Sequence, residues 1–372
     1  MGFSLEKDAG EPWAWQPGQG RVGFDYFSAH LVLQARGRWK TIALGDYQLQ
    51  FGQGLLLSSG FAVGKGAEVI TTVRRSSVGV RPYAGLLENS FFRGGAATYQ
   101  LGPRWDATAF ASHRNADANL RQTQDSLAEY DEFSSGLIYT GLHRTATELA
   151  NRHRLAETVG GGHLGYTSAD GDLAVGLSAV GTHYGTALLK RPETYNLFEF
   201  RGKNNLALGL HYSYVWHNLL LFGETARTSG GALGTVNGLL ASLGPAVDAA
   251  VLVRHYPADF HSLYGNAFGE NYRNINESGA YFGLKIRPAP RWEIATYYDQ
   301  FRFPWLRYRV GAPPAATTRC CAWLTRPAKP RFSRPSCASA SSRATCPQAP
   351  TSRCRCPATT CSKACCCTTP GP

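Results

Sequence analysis

The sequence predicts an all-β fold, an antiparallel transmembrane β-barrel of the outer-membrane type. The stretch LALGLHYSYVW, residues 206–216, places apolar or aromatic residues at every second position. Successive side chains of a strand point to opposite faces, so this stretch has one apolar face and one small or polar face. Candidate strands of about nine to eleven residues match tilted membrane strands. Aromatic residues, 12% of the chain, cluster at strand ends, as they do at membrane interfaces.

Segments of this character recur along the chain and are separated by Gly, Asn, Asp and Pro, which favour turns. Short turns alternate with long polar segments, of which 115–136 and 258–278 are the clearest, and this asymmetry is typical of outer-membrane barrels. We expect an incomplete barrel, because the pattern stops near residue 315. The predicted strands are 23–34, 40–51, 95–101, 105–113, 163–167, 173–184, 206–216, 219–226, 247–256, 279–287 and 292–301.

One short helix is predicted near 145–158, in a loop or as a plug of the lumen. Thr145 and Glu148 have the spacing of a capping box, in which each side chain accepts a hydrogen bond from a free backbone N–H. The glycines 160–162 are expected to end the helix.

The alternation also assigns faces. We expect lipid contact for Leu206, Leu208, Leu210, Tyr212, Tyr214 and Trp216. We expect a wet lumen to be lined by His211, Ser213, Asp248, Arg254, Glu293 and Asp299. A soluble β-sandwich, which would bury the apolar face against a second sheet, stays open as an alternative.

Charge and cysteine divide the chain into two regions, 1–314 and 315–372. The formal charge is +12, but nine Lys or Arg and no Asp or Glu follow residue 310, which leaves 29 basic against 26 acidic residues before it. All ten cysteines lie between Cys320 and Cys367. A thiolate metal cluster and a disulfide framework are possible. The favoured interpretation is a disordered tail translated out of frame from a GC-rich gene, because the change of composition is abrupt.

The N-terminus contains no basic start followed by an apolar core, so the chain as given contains no secretory signal. We expect that an exported form has its signal upstream of Met1. No run of about 18 apolar residues, the length of a membrane-spanning helix, occurs.

Several segments resemble a family of bacterial cell-envelope proteins labelled helix-hairpin-helix domain-containing. They are LGDYQLQFGQGLLLSSGFAVGKGAEV, NSFFRGGAATYQLG, GLHRTATELANRH, RGKNNLALGLHYSY, LFGETARTSGGALGTVNGLL, INESGAYFGL and FRFPWLRYRV, within residues 1 to 312. The resemblance implies a signal and a helix-hairpin-helix region ahead of an outer-membrane barrel. Because this chain has no helix-hairpin-helix signature, nucleic-acid binding is implied only through that missing N-terminal region.

Candidate sites for chemistry are few. GFAVGKG, residues 60–66, is one residue too short for a phosphate loop and has Gly66 in place of Ser or Thr, so a turn is favoured. His143, His153 and His163 lack the spacing of a zinc hydrolase and are expected to be solvated. An acidic loop could hold Ca²⁺, but its carboxylates lack a regular ligand spacing, so a solvated loop is favoured. These residues are Asp117, Asp125, Glu129, Asp131 and Glu132.

The sequence therefore predicts an outer-membrane barrel with a structural, pore-like or surface-assembly role. We expect no catalysis, no cofactor, no metal and no small-molecule substrate. The expected partners are outer-membrane lipid and, for the intact form, the barrel-assembly machinery. The alternatives are an envelope accessory to DNA binding or uptake, an outer-membrane hydrolase in which His211 activates Ser213, and a soluble sandwich module.

Overall fold

A computed structural model of the protein describes residues 1–11, 13, 15–16, 21–58, 64–87, 91–122, 132–310, 312–325 and 364–370. Most of these residues belong to one sheet of 18 strands. The first strands are β1 Gly2–Glu6, β2 Trp15–Gln16, β3 Arg21–Val22, β4 Tyr26–Arg36, β5 Trp39–Gln50, β6 Gly79–Pro82, β7 Phe92–Gly102, β8 Trp105–Ala116, β9 Ala118–Gln122 and β10 Glu132–Leu137. Helix α1, Ala146–Asn151, precedes β11 Leu155–Thr167, β12 Leu173–Leu188, β13 Gly202–Trp216, β14 Leu219–Thr228, β15 Leu233–Gly244, β16 Val247–Tyr256, β17 Glu277–Ile286, β18 Trp292–Arg302, β19 Ala315–Thr325 and β20 Ala364–Pro370.

The long strands pair antiparallel with their neighbours in sequence, which is the up-and-down order that local hairpins produce. The registers run from β4 through β5, β7, β8 and β11, then stepwise from β12 to β20, while β1 pairs with the free side of β4. β2 and β3 form a separate two-stranded sheet. The strands thus make one continuous wall, which rules out the two facing sheets of a sandwich. Within the described residues no strand register joins β20 to β1, so the sheet is not closed.

The two ends of the wall differ in their connections. One end has short turns at 37–38, 103–104, 217–218 and 245–246, and we call it the short-turn end. The other, the long-loop end, has the connections 51–91, 117–154 and 257–276. None of the described helices is long and apolar enough to cross a membrane.

The wall curls around a filled interior. Tyr264, in the loop after β16, donates a hydrogen bond from its hydroxyl to Glu157 on β11 at 2.6 Å, and the backbone of Leu57 bridges to that of Tyr264. Inward side chains of the wall and residues of the segments 51–57 and 69–73 form one buried apolar cluster. It includes Tyr47, Phe51, Leu55, Leu56, Leu57, Val69, Ile70, Phe110, Phe222, Leu252, Phe268 and Tyr281.

Most predicted strands are confirmed, and β16 has the predicted bounds 247–256. β15 was missed. The capping box at Thr145 is confirmed, but α1 ends at Asn151, and the predicted end of the helix near 158 is wrong. The glycines 160–162 lie in β11 rather than behind the helix. They fit there because a Cβ on Gly161 would come 2.1 Å from the carbonyl oxygen of Ala179.

The sheet extends beyond residue 314. β19 pairs with β18 and β20 pairs with β19, which puts Cys320 opposite Cys366. The expectation that this region cannot pair is therefore corrected for these two strands. Residues 326–363 lie outside the described part of the chain, and the out-of-frame origin of the tail stays a prediction.

Candidate functional site: the barrel interior

A buried ion cluster lines the inner face of β16, β17 and β18. Arg254 donates from Nε to Glu277 Oε1 at 2.6 Å and from its two terminal nitrogens to the two oxygens of Asp299, each at 3.0 Å. Lys65, in the connection between β5 and β6, forms ion pairs with Asp299 and with Glu270. All three wall side chains are fully buried. Two carboxylates around one guanidinium satisfy its donors without water, as a buried charge requires.

A second charged row lies nearer the short-turn end. Arg287 donates to Asp248 at 2.6 Å and lies 3.7 Å from Glu293. Lys285 forms an ion pair with Glu68, in the connection between β5 and β6, and lies 3.8 Å from Glu293. The predicted lumen residues Asp248, Arg254, Glu293 and Asp299 thus belong to two paired networks on neighbouring strands.

The segment 51–57 folds into the barrel, where a carboxylate of the wall binds its backbone nitrogens and residues of the 257–276 loop bind its backbone oxygens. Glu224 of β14 is buried and accepts hydrogen bonds from the backbone nitrogens of Gln53 at 2.6 Å and Leu55 at 3.0 Å. Successive N–H groups that converge on an anion form a nest. The nest requires Gly52, which has a φ of 60° and whose added Cβ would lie 2.6 Å from Glu224 Oε2. We call residues 51–57 the inward segment.

Three rings stack beside this nest. The ring centroids of Phe51 and His163 lie 4.0 Å apart, and those of His163 and His211 lie 5.1 Å apart with nearly parallel planes. Ser213 accepts a hydrogen bond from Arg74 at 3.5 Å. His211 and Ser213 lie on the same face of β13, but in the described structure no hydrogen bond joins them. The arrangement packs the inward segment and contains no activated nucleophile among these residues.

The ring stack depends on a glycine, and we expect Gly176→Ala to lower the free energy of unfolding by about 1 to 3 kcal/mol through overpacking. A Cβ there would meet His211 Cε1 at 2.3 Å and His163 Cε1 at 2.4 Å. Gly181→Ala on the same strand is the matched control, because its Cβ would have only Gly160 O at 3.7 Å nearby. Urea unfolding of both variants measures the difference; equal stabilities would contradict the packed stack.

A third cluster, at the long-loop end, was not predicted. His143 was expected to be solvated and is instead buried between two carboxylates, with Nδ1 3.3 Å from Asp25 Oδ2 and Nε2 2.7 Å from Asp117 Oδ2. Burial lowers the pKa of His143, but hydrogen bonding to Asp117 and Asp25 outweighs it, so the pKa lies above its usual value. His163 also differs from expectation, because it lies inside the barrel.

The remaining sequence candidates carry little chemistry. In GFAVGKG, residues 60–63 lie outside the described residues, and Lys65 is engaged in the ion cluster above. Asp125, Glu129 and Asp131 also lie outside the described residues, while Glu132 is exposed on β10.

The outer face is apolar in the middle and aromatic at the short-turn end. Leu206, Leu208 and Leu210 are exposed, and so are Tyr214 and Trp216 at the end of β13. Tyr212 lies on the same face, with its hydroxyl 3.1 Å from the side-chain oxygen of Asn237. Two exposed tryptophans at this end, Trp39 and Trp105, each pair edgewise or tilted with a partly buried tyrosine on the neighbouring strand. These pairs are Trp39 with Tyr99 at 4.9 Å and Trp105 with Tyr166 at 4.8 Å.

No protein-family model and no curated protein matches the sequence. Some solved structures are similar at low identity. An anion-selective porin from Comamonas acidovorans has 11% identity and a TM-score of 0.35, over 76% of this chain and 69% of the porin. OpdQ of Pseudomonas aeruginosa has 12% identity and a TM-score of 0.41, over 82% of this chain and 72% of OpdQ. OccAB4 of Acinetobacter baumannii has 9% identity and a TM-score of 0.36, over 87% of this chain and 71% of OccAB4. At these values, the basis for a function is the geometry of the chain itself.

Proposed function

We propose that this chain is an outer-membrane β-barrel protein with a pore-like role, whose passage is narrowed by the inward segment. The observation that carries the proposal is the contrast between the two faces of the wall. Its outer face exposes a continuous series of leucines bounded by aromatic side chains, and its inner face carries paired charges. An apolar band with an aromatic girdle around a polar interior is what a barrel in lipid requires.

The leucines favour lipid over water as the outer solvent. Leu177, Leu206, Leu208 and Leu210 are each more than 40% exposed on the adjoining strands β12 and β13. Soluble monomers rarely expose large contiguous apolar patches, since each Å² left in water costs roughly 25 cal/mol. Membrane lipid is therefore the proposed partner of this surface, and the barrel-assembly machinery is the proposed partner of the intact protein during insertion.

The inward segment supports a narrowed passage rather than a wide channel. It occupies the interior next to β13 and β14, where Glu224 of the wall accepts hydrogen bonds from its backbone nitrogens, while Ser262 and Asn274 of the 257–276 loop donate to its backbone oxygens. Without Glu224, the backbone N–H groups of Gln53 and Leu55 lose their acceptor in a buried place, which costs about 1 to 3 kcal/mol for each group. Such a loss favours displacement of the segment and a wider passage.

The test is single-channel recording in planar lipid bilayers with the refolded full chain. We expect the wild type to pass small ions, and Glu224→Ala to give a larger conductance or more frequent openings. Glu193→Ala, at an exposed loop carboxylate, is the control and should behave like the wild type. Absence of current from both the wild type and Glu224→Ala would overturn the pore-like role and leave a structural or surface-assembly barrel.

The other candidate functions have less support. Hydrolysis would need His211 to activate Ser213, whereas His211 is engaged in the ring stack and Ser213 accepts from Arg74. A role in DNA binding or uptake rests on the sequence resemblance alone, and among the described residues the only α-helix is the six-residue α1.

A further inference from the structure

We propose that Glu11, Asp25 and His143 bind one divalent transition-metal ion of the Zn²⁺ type at the long-loop end of the barrel. These residues come from three separate parts of the chain: the segment after β1, the start of β4 and the loop before α1. Their ligand atoms all lie within 4.8 Å of one another, and Glu11 and His143 are buried. We call this group the loop triad.

The distances in the loop triad are compatible with metal coordination. Zn²⁺ binds imidazole nitrogen and carboxylate oxygen at about 2.0 to 2.2 Å, so two ligands on a tetrahedral edge lie roughly 3.3 Å apart. His143 Nδ1 lies 3.3 Å from Asp25 Oδ2 and 4.0 Å from Glu11 Oε1. The first distance already matches such an edge, and the second needs a shift of less than 1 Å, within the reach of a glutamate rotamer.

Asp117 prepares the histidine for this role. Its Oδ2 lies 2.7 Å from His143 Nε2, and its Oδ1 accepts a hydrogen bond from the backbone nitrogen of His153 at 2.8 Å. A carboxylate that accepts the Nε2 proton leaves the lone pair of Nδ1 pointing at the other two ligands. Metal-binding histidines usually have a partner of this kind on their second nitrogen.

The main independent sign is an oxygen without a partner. The Asp25 side chain is only 10% exposed, yet its Oδ1 is buried without any hydrogen bond in the described residues. Leaving a buried carboxylate oxygen unpaired is costly. The carboxylates of Glu11, Asp25 and Asp117 surround His143, while Arg152 and Lys7 donate only to the backbone oxygens of Asp25 and Glu11.

A metal at the loop triad would join the N-terminal segment to the wall. Glu11 already holds the backbone nitrogens of Asp8 and His143 through its two oxygens, at 3.0 and 2.9 Å. Coordination would add a shared bond between this segment, β4 and the loop that carries His143. We therefore expect the ion to stabilise the edge of the sheet where β1 pairs with β4.

The experiment is equilibrium dialysis of the refolded full chain in detergent against Zn²⁺ at neutral pH. The ten cysteines are alkylated before refolding, because thiolates would also bind the ion. We expect one Zn²⁺ per chain and a higher midpoint of thermal unfolding in its presence. Asp25→Asn and His143→Gln should each weaken binding at least tenfold. Asp117→Asn should weaken it about 10- to 100-fold, as loss of a partner on a ligating histidine does.

Two controls keep the test decisive. His217→Gln and Asp170→Asn change exposed residues in turns at the short-turn end and should bind as the wild type does. If His143→Gln does not refold, Asp25→Asn answers the same question, since it keeps the size of the side chain. The proposal is overturned if the alkylated wild type binds no Zn²⁺, or if Asp25→Asn binds as tightly as the wild type; a proton on His143 then holds the cluster.

Discussion

Replacing Arg254 with methionine is expected to lower the free energy of unfolding by about 3 to 5 kcal/mol, the range for breaking a buried ion pair from one side. The reason is the pair of carboxylates that the guanidinium satisfies. Glu277 and Asp299 are both fully buried, and both accept from Arg254 at 2.6 to 3.0 Å. Without the guanidinium, Asp299 keeps only Lys65, and Glu277 would have to be protonated or reach water. Urea unfolding from phospholipid vesicles measures the loss.

An exposed ion pair of the same wall provides the matched comparison. Lys40 and Asp106 are in contact at 2.6 Å with side chains 47% and 33% exposed, and an exposed pair is worth at most about 1 kcal/mol. Lys40→Met should therefore have little effect. The triple variant Arg254→Met, Glu277→Gln, Asp299→Asn should recover much of the loss, because no unpaired charge remains. A loss from Arg254→Met no greater than that from Lys40→Met would refute the buried cluster.

Leu210→Arg is expected to destabilise the inserted protein by about 2 to 4 kcal/mol, the cost of arginine on the lipid face near the bilayer midplane. Leu210 is 46% exposed on the outer face of β13. It pairs with Leu177 and Thr225 in the body of the sheet, so its side chain would lie deep in lipid. The measurement is again unfolding from vesicles.

Leu243→Arg tests whether depth is the cause. Leu243 is 64% exposed on β15, beside the 245–246 turn at the short-turn end, where the same substitution costs about 0 to 1 kcal/mol. Equal effects of the two variants, or recovery of a folded monomer without detergent, would contradict a lipid-facing wall.

The sequence predicted the strands that alternate strongly and missed those that do not. β16 combines Val247, Val251 and Val253 with Arg254 and was placed correctly. In β15, LGTVNGLLASLG, glycine and alanine interrupt the alternation of apolar and polar residues, so no period of two is visible. The predicted helix is too long because glycine normally ends helices, and the glycines 160–162 suggested an end near 158. In the structure these glycines lie in β11, where the absence of a side chain leaves room for a close neighbouring strand.

The interior could be predicted only in part, because its contacts join distant segments. Alternation alone placed Asp248, Arg254, Glu293 and Asp299 on one face, and the structure pairs them with charges on neighbouring strands. Alternation could not show that His211 is buried against His163, next to the inward segment. No local pattern predicts that residues 51–57 enter the barrel.

The loop cluster around His143 was missed for the same reason. Its partners Asp25 and Asp117 are far from it in sequence, and each stands alone among residues typical of loops. Spacing rules for metal sites detect ligands on one helix or one turn. Only the sheet, by bringing the starts and ends of distant strands to one edge, makes these three residues neighbours.

The tether between the inward segment and Glu224 also dictates an order of events during biogenesis. Gln53 and Leu55 are separated from their acceptor by 171 and 169 positions. Contacts so distant in the chain form late, because the intervening loop must first be closed. We therefore expect the segment to reach its acceptor only after β14 has joined the wall, so that filling of the interior follows the pairing of β5 to β14.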